Sequence, residues 1–146
     1  PPAGHRSVTG ALPQLDFKPT PLAEATTAIN RETLLVVMLE SPAAIARAEE
    51  IAAVPGVDAL LIGTSDLSME MGIPGQVDHP DIAKAYETVV EACRKHGKHP
   101  GMGGVYSPPL MQRYIEIGAR LILGGNDLPL LMAAASERSQ TLRAML

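Results

Sequence analysis

The sequence predicts an α/β fold built on a parallel sheet, and three observations carry that reading. Two apolar runs, residues 33–39 (TLLVVML) and 57–63 (VDALLIG), are bounded by turn signals, as strands buried on both faces are. Each is followed by apolar residues recurring at helical spacing. The alternation then repeats, so that four strand–helix units fill residues 33–146. Strands joined by single helical crossovers run parallel with right-handed connections.

The elements follow in order. Residues 1–19 read as loop, punctuated by Pro1, Pro2, Gly4, Gly10, Pro13 and Pro19. Residues 22–31 form a short helix started by Thr20-Pro21, with Leu22, Ala25 and Ile29 on one side. After the first strand, Ser41 is placed to cap a helix with Pro42 at its first position. Ile45, Ala48, Ile51 and Ala52 give that helix a buried stripe, and Pro55-Gly56 ends it. The second strand delivers the turn Gly63-Thr64-Ser65-Asp66. Residues 69–77 read as a loop with Gly72, Pro74 and Gly75, long enough to fold over a site.

Asp78-His79-Pro80 opens a long helix to about His96, periodic in Ile82, Ala85, Tyr86, Val89, Val90 and Cys93 and closed by Gly97. Residues 99–105 form a third strand weakened by three glycines, whose presence implies close approach of a ligand or of backbone. Ser107-Pro108-Pro109 starts a helix over residues 110–117, and residues 120–125 form the fourth strand. Asn126-Asp127 caps a last helix over residues 130–145.

This arrangement has a chemical consequence. A parallel sheet brings the C-terminal ends of its strands to one edge, so Glu40 and Asp66, which end consecutive strands, are expected close together. Paired carboxylates suit a hard divalent cation, whose remaining positions go to water and a chelating substrate. The purely structural alternatives are Asp66 as an N-cap and Glu40-Ser41-Pro42 as a helix start. Gly63 permits close approach, so the backbone amides of the following turn can face an anion; a tight strand-to-helix turn is again the structural alternative. His79 reads as part of a helix start rather than as a base.

Composition narrows the function. With 46% hydrophobic and 19% charged residues over 146 positions, the chain suits a soluble globular domain with a sizeable core. The net charge of −4 with no basic run, and 3% aromatics, exclude a nucleic-acid footprint and base-stacking platforms. The single cysteine, Cys93, lies in a helical pattern and is expected to be a buried thiol in a reducing, cytoplasmic setting. No secretory signal pattern and no apolar run of about 18 residues occurs, so no membrane association is expected.

The combination of an apolar strand ending in Glu40, a helix, the segment Pro55-Gly-Val-Asp-Ala-Leu-Leu-Ile-Gly-Thr-Ser-Asp66-Leu-Ser68 and the Met71-Gly72 turn resembles the HpcH/HpaI aldolase family of metal-dependent pyruvate aldolases. Pro1-Pro-Ala-Gly-His-Arg6, His79-Pro-Asp81, Gly97-Lys98 and Glu116-Ile-Gly-Ala119 match as well. The resemblance covers almost the whole chain.

It implies a parallel (β/α)8 TIM barrel, which typically needs about 250 residues, with this chain as its last four β/α units. Residues 1–146 are then one domain: a loop and short helix over 1–32, and four units over 33–146. Length and pattern alone favour instead a small doubly wound, flavodoxin-like domain with Asp66 in a structural or acidic-switch role.

The resemblance further implies a class II carbon–carbon lyase. Such an enzyme reversibly cleaves 2-keto-4-hydroxy acids to pyruvate and an aldehyde through a pyruvate enolate stabilised by Mg²⁺, Mn²⁺ or Co²⁺. Glu40 and Asp66 match the metal ligands. Gly63, Thr64 and Ser65 match the cradle for the pyruvate carboxylate, and Gly103 lines the aldehyde side. The family's essential Arg and base-assisting His come from the first half of the barrel, and neither His5 nor Arg6 matches them. The N-terminal half is therefore an expected partner, and homo-oligomers are expected.

Two departures stand out: Met38 replaces a common Gln two residues before the metal-binding Glu, and Gly103 replaces a bulky aliphatic residue. A different reading is a non-catalytic half-barrel serving as a binding or assembly subunit.

Overall fold

In a computed structural model of the chain, residues 4–5 and 7–146 are described; the Pro1–Ala3 and Arg6 parts of the opening motif lie outside them. The chain forms two compact units, Pro1–Leu34 and Leu35–Leu146.

In the first unit, a 3-10 turn at Pro13–Leu15 precedes α1 (Leu22–Glu32). The chain on either side of the 3-10 turn is drawn together at Gly10. Its carbonyl accepts from the Thr20 amide at 3.1 Å, and a Cβ there would lie 2.1 Å from the Thr20 carbonyl oxygen. Ala25 and Ile29 are buried as the periodicity predicts, but Leu22 stays exposed. Thr33, expected to begin the first strand, instead closes α1, its hydroxyl donating to the Ile29 carbonyl at 2.7 Å.

The second unit is a parallel sheet of β1 (Val36–Leu39), β2 (Ala59–Gly63), β3 (His99–Gly103) and β4 (Leu121–Ile122), in the order β1-β2-β3-β4. The strands are shorter than their apolar runs. At β1 the reason is local: the Leu35 amide is taken by the Asp58 carboxylate at 2.7 Å, a side-chain cap in place of a ladder bond.

The register aligns Leu39, Ile62, Met102 and Ile122 in one row. Leu39, Leu60, Ile62 and Met102 face the helices and form the core together with Ile45, Ala48, Ile82, Val89 and Tyr114, and the partly buried Ile122 packs against it. Each fully buried Leu, Ile, Val or Met side chain among them stabilises the fold by about 1.5–3 kcal/mol.

Three helical features differ from expectation. The helix after β1 is two pieces, α2 (Pro42–Ala46) and α3 (Ala48–Ala52). Between them Arg47 leaves helical geometry (φ −102°, ψ 13°) and closes a tighter bond to the Ala44 carbonyl at 3.1 Å, while Ile45, Ala48 and Ala52 all remain buried. The Ser41 cap forms as predicted, its Oγ accepting from the Ala44 amide at 3.2 Å.

Second, β2 runs straight into a helix, α4 (Thr64–Glu70), so that Met69 and Glu70 are helical rather than the start of a loop. Third, the last helix, α7, spans Asp127–Arg143 and begins earlier than expected. The Asn126 side chain makes no cap bond; the Leu128 amide donates to the Asp127 carboxylate at 2.8 Å instead. No residue of α7 is buried.

The other helices follow the sequence closely. In α5 (Pro80–His96), the His79 imidazole Nδ1 accepts from the Asp81 amide at 3.2 Å. Gly97, in the left-handed region at φ 64°, ends α5 while the Lys98 amide reaches back to the Cys93 carbonyl at 2.8 Å. α6 spans Pro108–Ile117. Cys93 is buried, and burial pushes its thiol up from the ordinary range. No helix among the described residues is long and apolar enough to cross a membrane.

Candidate metal and carboxylate site

Side chains alternate along a strand. Because Leu39, Ile62 and Met102 face the helices, their neighbours Met38, Glu40, Leu61, Gly63, Gly101 and Gly103 are directed to the opposite face. Glu40 directly follows β1, and its side chain lies across Gly63. A Cβ on residue 63 would stand 2.7 Å from Glu40 Cγ and 2.8 Å from Oε1. The glycine is therefore the space the glutamate occupies.

Asp66 sits in the first turn of α4 and is exposed. The Glu40 carboxyl is held above the ordinary carboxylate range, first by partial removal from water, then by a hydrogen bond and like-charge repulsion from Asp66. The two carboxyls thus lie near enough to act on one another. Among the described residues neither forms an ion pair, and no cluster of three or more metal-ligating side chains occurs.

A prediction follows from the glycine. Gly63→Ala is expected to leave the fold intact, because the colliding atoms belong to a flexible side chain, while displacing the Glu40 carboxyl. Mn²⁺ affinity should fall by about 10-fold or more, on the scale of errors in ligand orientation. Unchanged affinity in calorimetry would show that Glu40 does not need this position.

The turn after β2 is held by buried hydroxyls. The Thr64 side chain points into the core, with Oγ1 2.8 Å from the Tyr86 hydroxyl, so Thr64 offers a ligand only its backbone. Ser65 is exposed. Beside it lies Gly104, in the left-handed region at φ 79°; a Cβ there would come within 2.8 Å of Ser65 Oγ and 3.1 Å of its amide nitrogen. The close approach expected of the glycines in residues 99–105 is met here by the backbone and side chain of Ser65. Gly103 is buried, and a Cβ on it would meet Leu123 at 3.4 Å and Leu61 at 3.7 Å. Met38 is half exposed on the same face as Glu40.

The segment 71–79 is tied down in its hydrogen bonding to α4 and α6, not to the carboxylates. The Gly75 amide donates to Ser68 Oγ at 3.0 Å, and Tyr114 donates its hydroxyl to the Val77 carbonyl. Ile73 and Val77 pack against the core. Tyr114 also stacks on Tyr86, with centroids 4.0 Å apart and an interplanar angle of 13°. Burial drives the Tyr86 phenol far above its usual range, with the Thr64 hydrogen bond opposing the shift. This aromatic pair had no local signal in the sequence. His5 is exposed and Arg6 lies outside the described residues.

Fold and site together define an α/β domain whose parallel sheet carries an acidic pair at its C-terminal edge. The chain belongs to the HpcH/HpaI aldolase/citrate lyase family, whose model matches residues 1–134. It is 40% identical over 140 residues to the 4-hydroxy-4-methyl-2-oxoglutarate aldolase tasA of Hapsidospora irregularis, covering 94% of this chain and 52% of that protein. It is 36% identical over 138 residues to a 4-hydroxy-2-oxo-heptane-1,7-dioate aldolase of Escherichia coli, covering 92% of this chain and 51% of that one. A crystal structure of an HpcH/HpaI aldolase from Desulfitobacterium hafniense superposes with a TM-score of 0.82 at 33% identity, over 98% of this chain and 55% of that one. The chain spans about half the length of the relatives it matches.

Proposed function

We propose that these residues form the second half of a (β/α)8 barrel that cleaves a 4-hydroxy-2-oxo acid to pyruvate and an aldehyde. The observation that carries this reading is the Glu40 side chain lying over Gly63, with Asp66 in the turn that follows, at the C-terminal edge of the sheet in a family whose relatives are named as aldolases. Two neighbouring carboxyls with no basic partner among the described residues fit a hard divalent cation such as Mg²⁺, Mn²⁺ or Co²⁺, whose charge relieves their repulsion. When bound, that cation would act as a Lewis acid toward the keto oxygen and stabilise the negative charge that develops there as the carbon–carbon bond breaks.

The chain's own residues do the positioning. Glu40 and Asp66 hold the cation, Gly63 leaves the glutamate its place, and the amides of Thr64 and Ser65 receive the substrate carboxylate. Met38 presents a thioether that cannot donate a hydrogen bond, so it forms an apolar wall near the pair. The proton-handling Arg and His belong to the complementary half.

The test is cleavage of 4-hydroxy-2-oxoheptane-1,7-dioate followed by pyruvate release, with and without an N-terminal half-barrel and with and without EDTA. Activity is expected only with the complement and should disappear on chelation. Turnover insensitive to EDTA would overturn the metal assignment. A metal-loaded complex without turnover would identify a binding or assembly subunit.

Gly103 governs the aldehyde end. Gly103→Leu must push against Leu61 and Leu123, which already border the position. It should lower kcat/KM for long or branched aldehydes by roughly 10- to 200-fold while sparing glycolaldehyde, since one methylene in an apolar pocket is worth that range. Equal losses for short and long aldehydes would show that residue 103 serves backbone packing alone.

A further inference from the structure

Asp66 is carried by a helix that has little stability of its own. α4 has 7 residues and no side-chain bond at its N-cap, Gly63, and isolated helices this short are marginal in water. Two features compensate. Thr64 and Ser68 are the buried polar side chains of the described core, both lie on α4, and both are satisfied. Ser68 Oγ donates to the Ser65 carbonyl at 2.7 Å and accepts from the Gly75 amide at 3.0 Å. Thr64 Oγ1 is 2.8 Å from the Tyr86 hydroxyl, and the Tyr86 ring is fixed by its stack on Tyr114. Asp66 lies between these two anchors.

We propose that Tyr86 is a positioning residue: through Thr64 it fixes the first turn of α4 and so holds the Asp66 carboxyl against Glu40. Tyr86 is 1% exposed and touches no ligand; it acts across the core, from the long helix α5 to the first turn of the short one. The role of that turn in metal binding rests on the function proposed above, but the fixing of the turn does not.

Three variants of the whole chain test the inference: Tyr86→Phe, Thr64→Val, and the two combined. Tyr86→Phe keeps the stacked ring and strands the Thr64 hydroxyl. In the metal-free chain, NMR order parameters of the Thr64, Ser65 and Asp66 amides should fall from about 0.85 to below about 0.6, while those of α5 hold. Mn²⁺ affinity, read from the free-ion EPR signal, should weaken by about fivefold, the scale of one hydrogen bond.

Removing both partners with apolar groups of similar shape is close to neutral for stability. The double variant should therefore regain most of the parent's Tm but not its Mn²⁺ affinity. Order parameters unchanged in Tyr86→Phe overturn the inference, whatever the metal does. So does Mn²⁺ affinity that recovers with Tm in the double variant, because a merely structural role behaves that way. Failure of the parent chain to bind Mn²⁺ would instead strike at the metal reading, and the order parameters would still decide the role of Tyr86.

Discussion

Glu40→Ala and Asp66→Ala are each expected to abolish measurable Mn²⁺ binding while leaving the protein folded. The proposed cation site has two protein carboxylates, so losing one removes half of its anchored charge and leaves a single carboxylate. Such a carboxylate has no more hold on a divalent ion than any other on the surface. The loss should exceed about 100-fold, since even outer partners of metal ligands change affinity by about 10- to 100-fold. Folding should not suffer. Glu40 is strained toward its neutral form by burial and by Asp66, so removing either carboxyl relieves repulsion in the metal-free protein. Calorimetry with Mn²⁺, beside thermal melts, separates the two effects. A double Ala variant that binds Mn²⁺ as tightly as the parent would end the assignment.

The largest effect on stability is expected at Tyr114. Its ring is fully buried, lies 4.0 Å from the Tyr86 ring and carries the hydrogen bond that secures residue 77. Truncating a large buried ring costs about 3–5 kcal/mol, against a total of about 5–15 for a typical domain. Tyr114→Ala should therefore be largely unfolded near 37 °C or melt far below the parent. Tyr114→Phe keeps the stack and loses only the bond to the Val77 carbonyl, so it should cost about 1 kcal/mol. Urea midpoints at constant m-value measure both. Similar small losses for the two variants would mean that the stack contributes little.

How much of this was legible in the sequence varies with the length over which the signal acts. The two core strands, the caps at Ser41 and His79 and the glycine stop at Gly97 were readable, because each depends on residues adjacent in the chain. Strand lengths were not: Leu35 is held by Asp58, the residue just ahead of β2, a bond between distant residues that no pattern along the chain announces. α4 escaped notice because it has too few turns to show a period, and its buried residues include hydroxyls whose partners are distant. The break at Arg47 falls in a segment whose apolar spacing is that of one helix. Glu40 was legible as the residue that follows a strand, whereas Asp66, also expected at a strand end, lies in the first turn of α4. The roles of Tyr86 and Tyr114 were not legible, nor was Ser65 as the residue that Gly104 approaches, because stacking and close approach link residues far apart in the chain.

The crossing of Glu40 over Gly63 also limits how this sequence can drift. A carboxylate and a methyl group compete for one volume, so the two positions form a single inherited unit. A descendant that gives up the glutamate is freed at both sites together: once residue 40 shortens, residue 63 can take on a side chain. Return is then barred in the opposite order, because a glutamate restored at 40 would meet an occupied place until residue 63 reverted to glycine. Among descendants, retention of glycine at 63 would mark lineages in which the acidic residue at 40 is still in use.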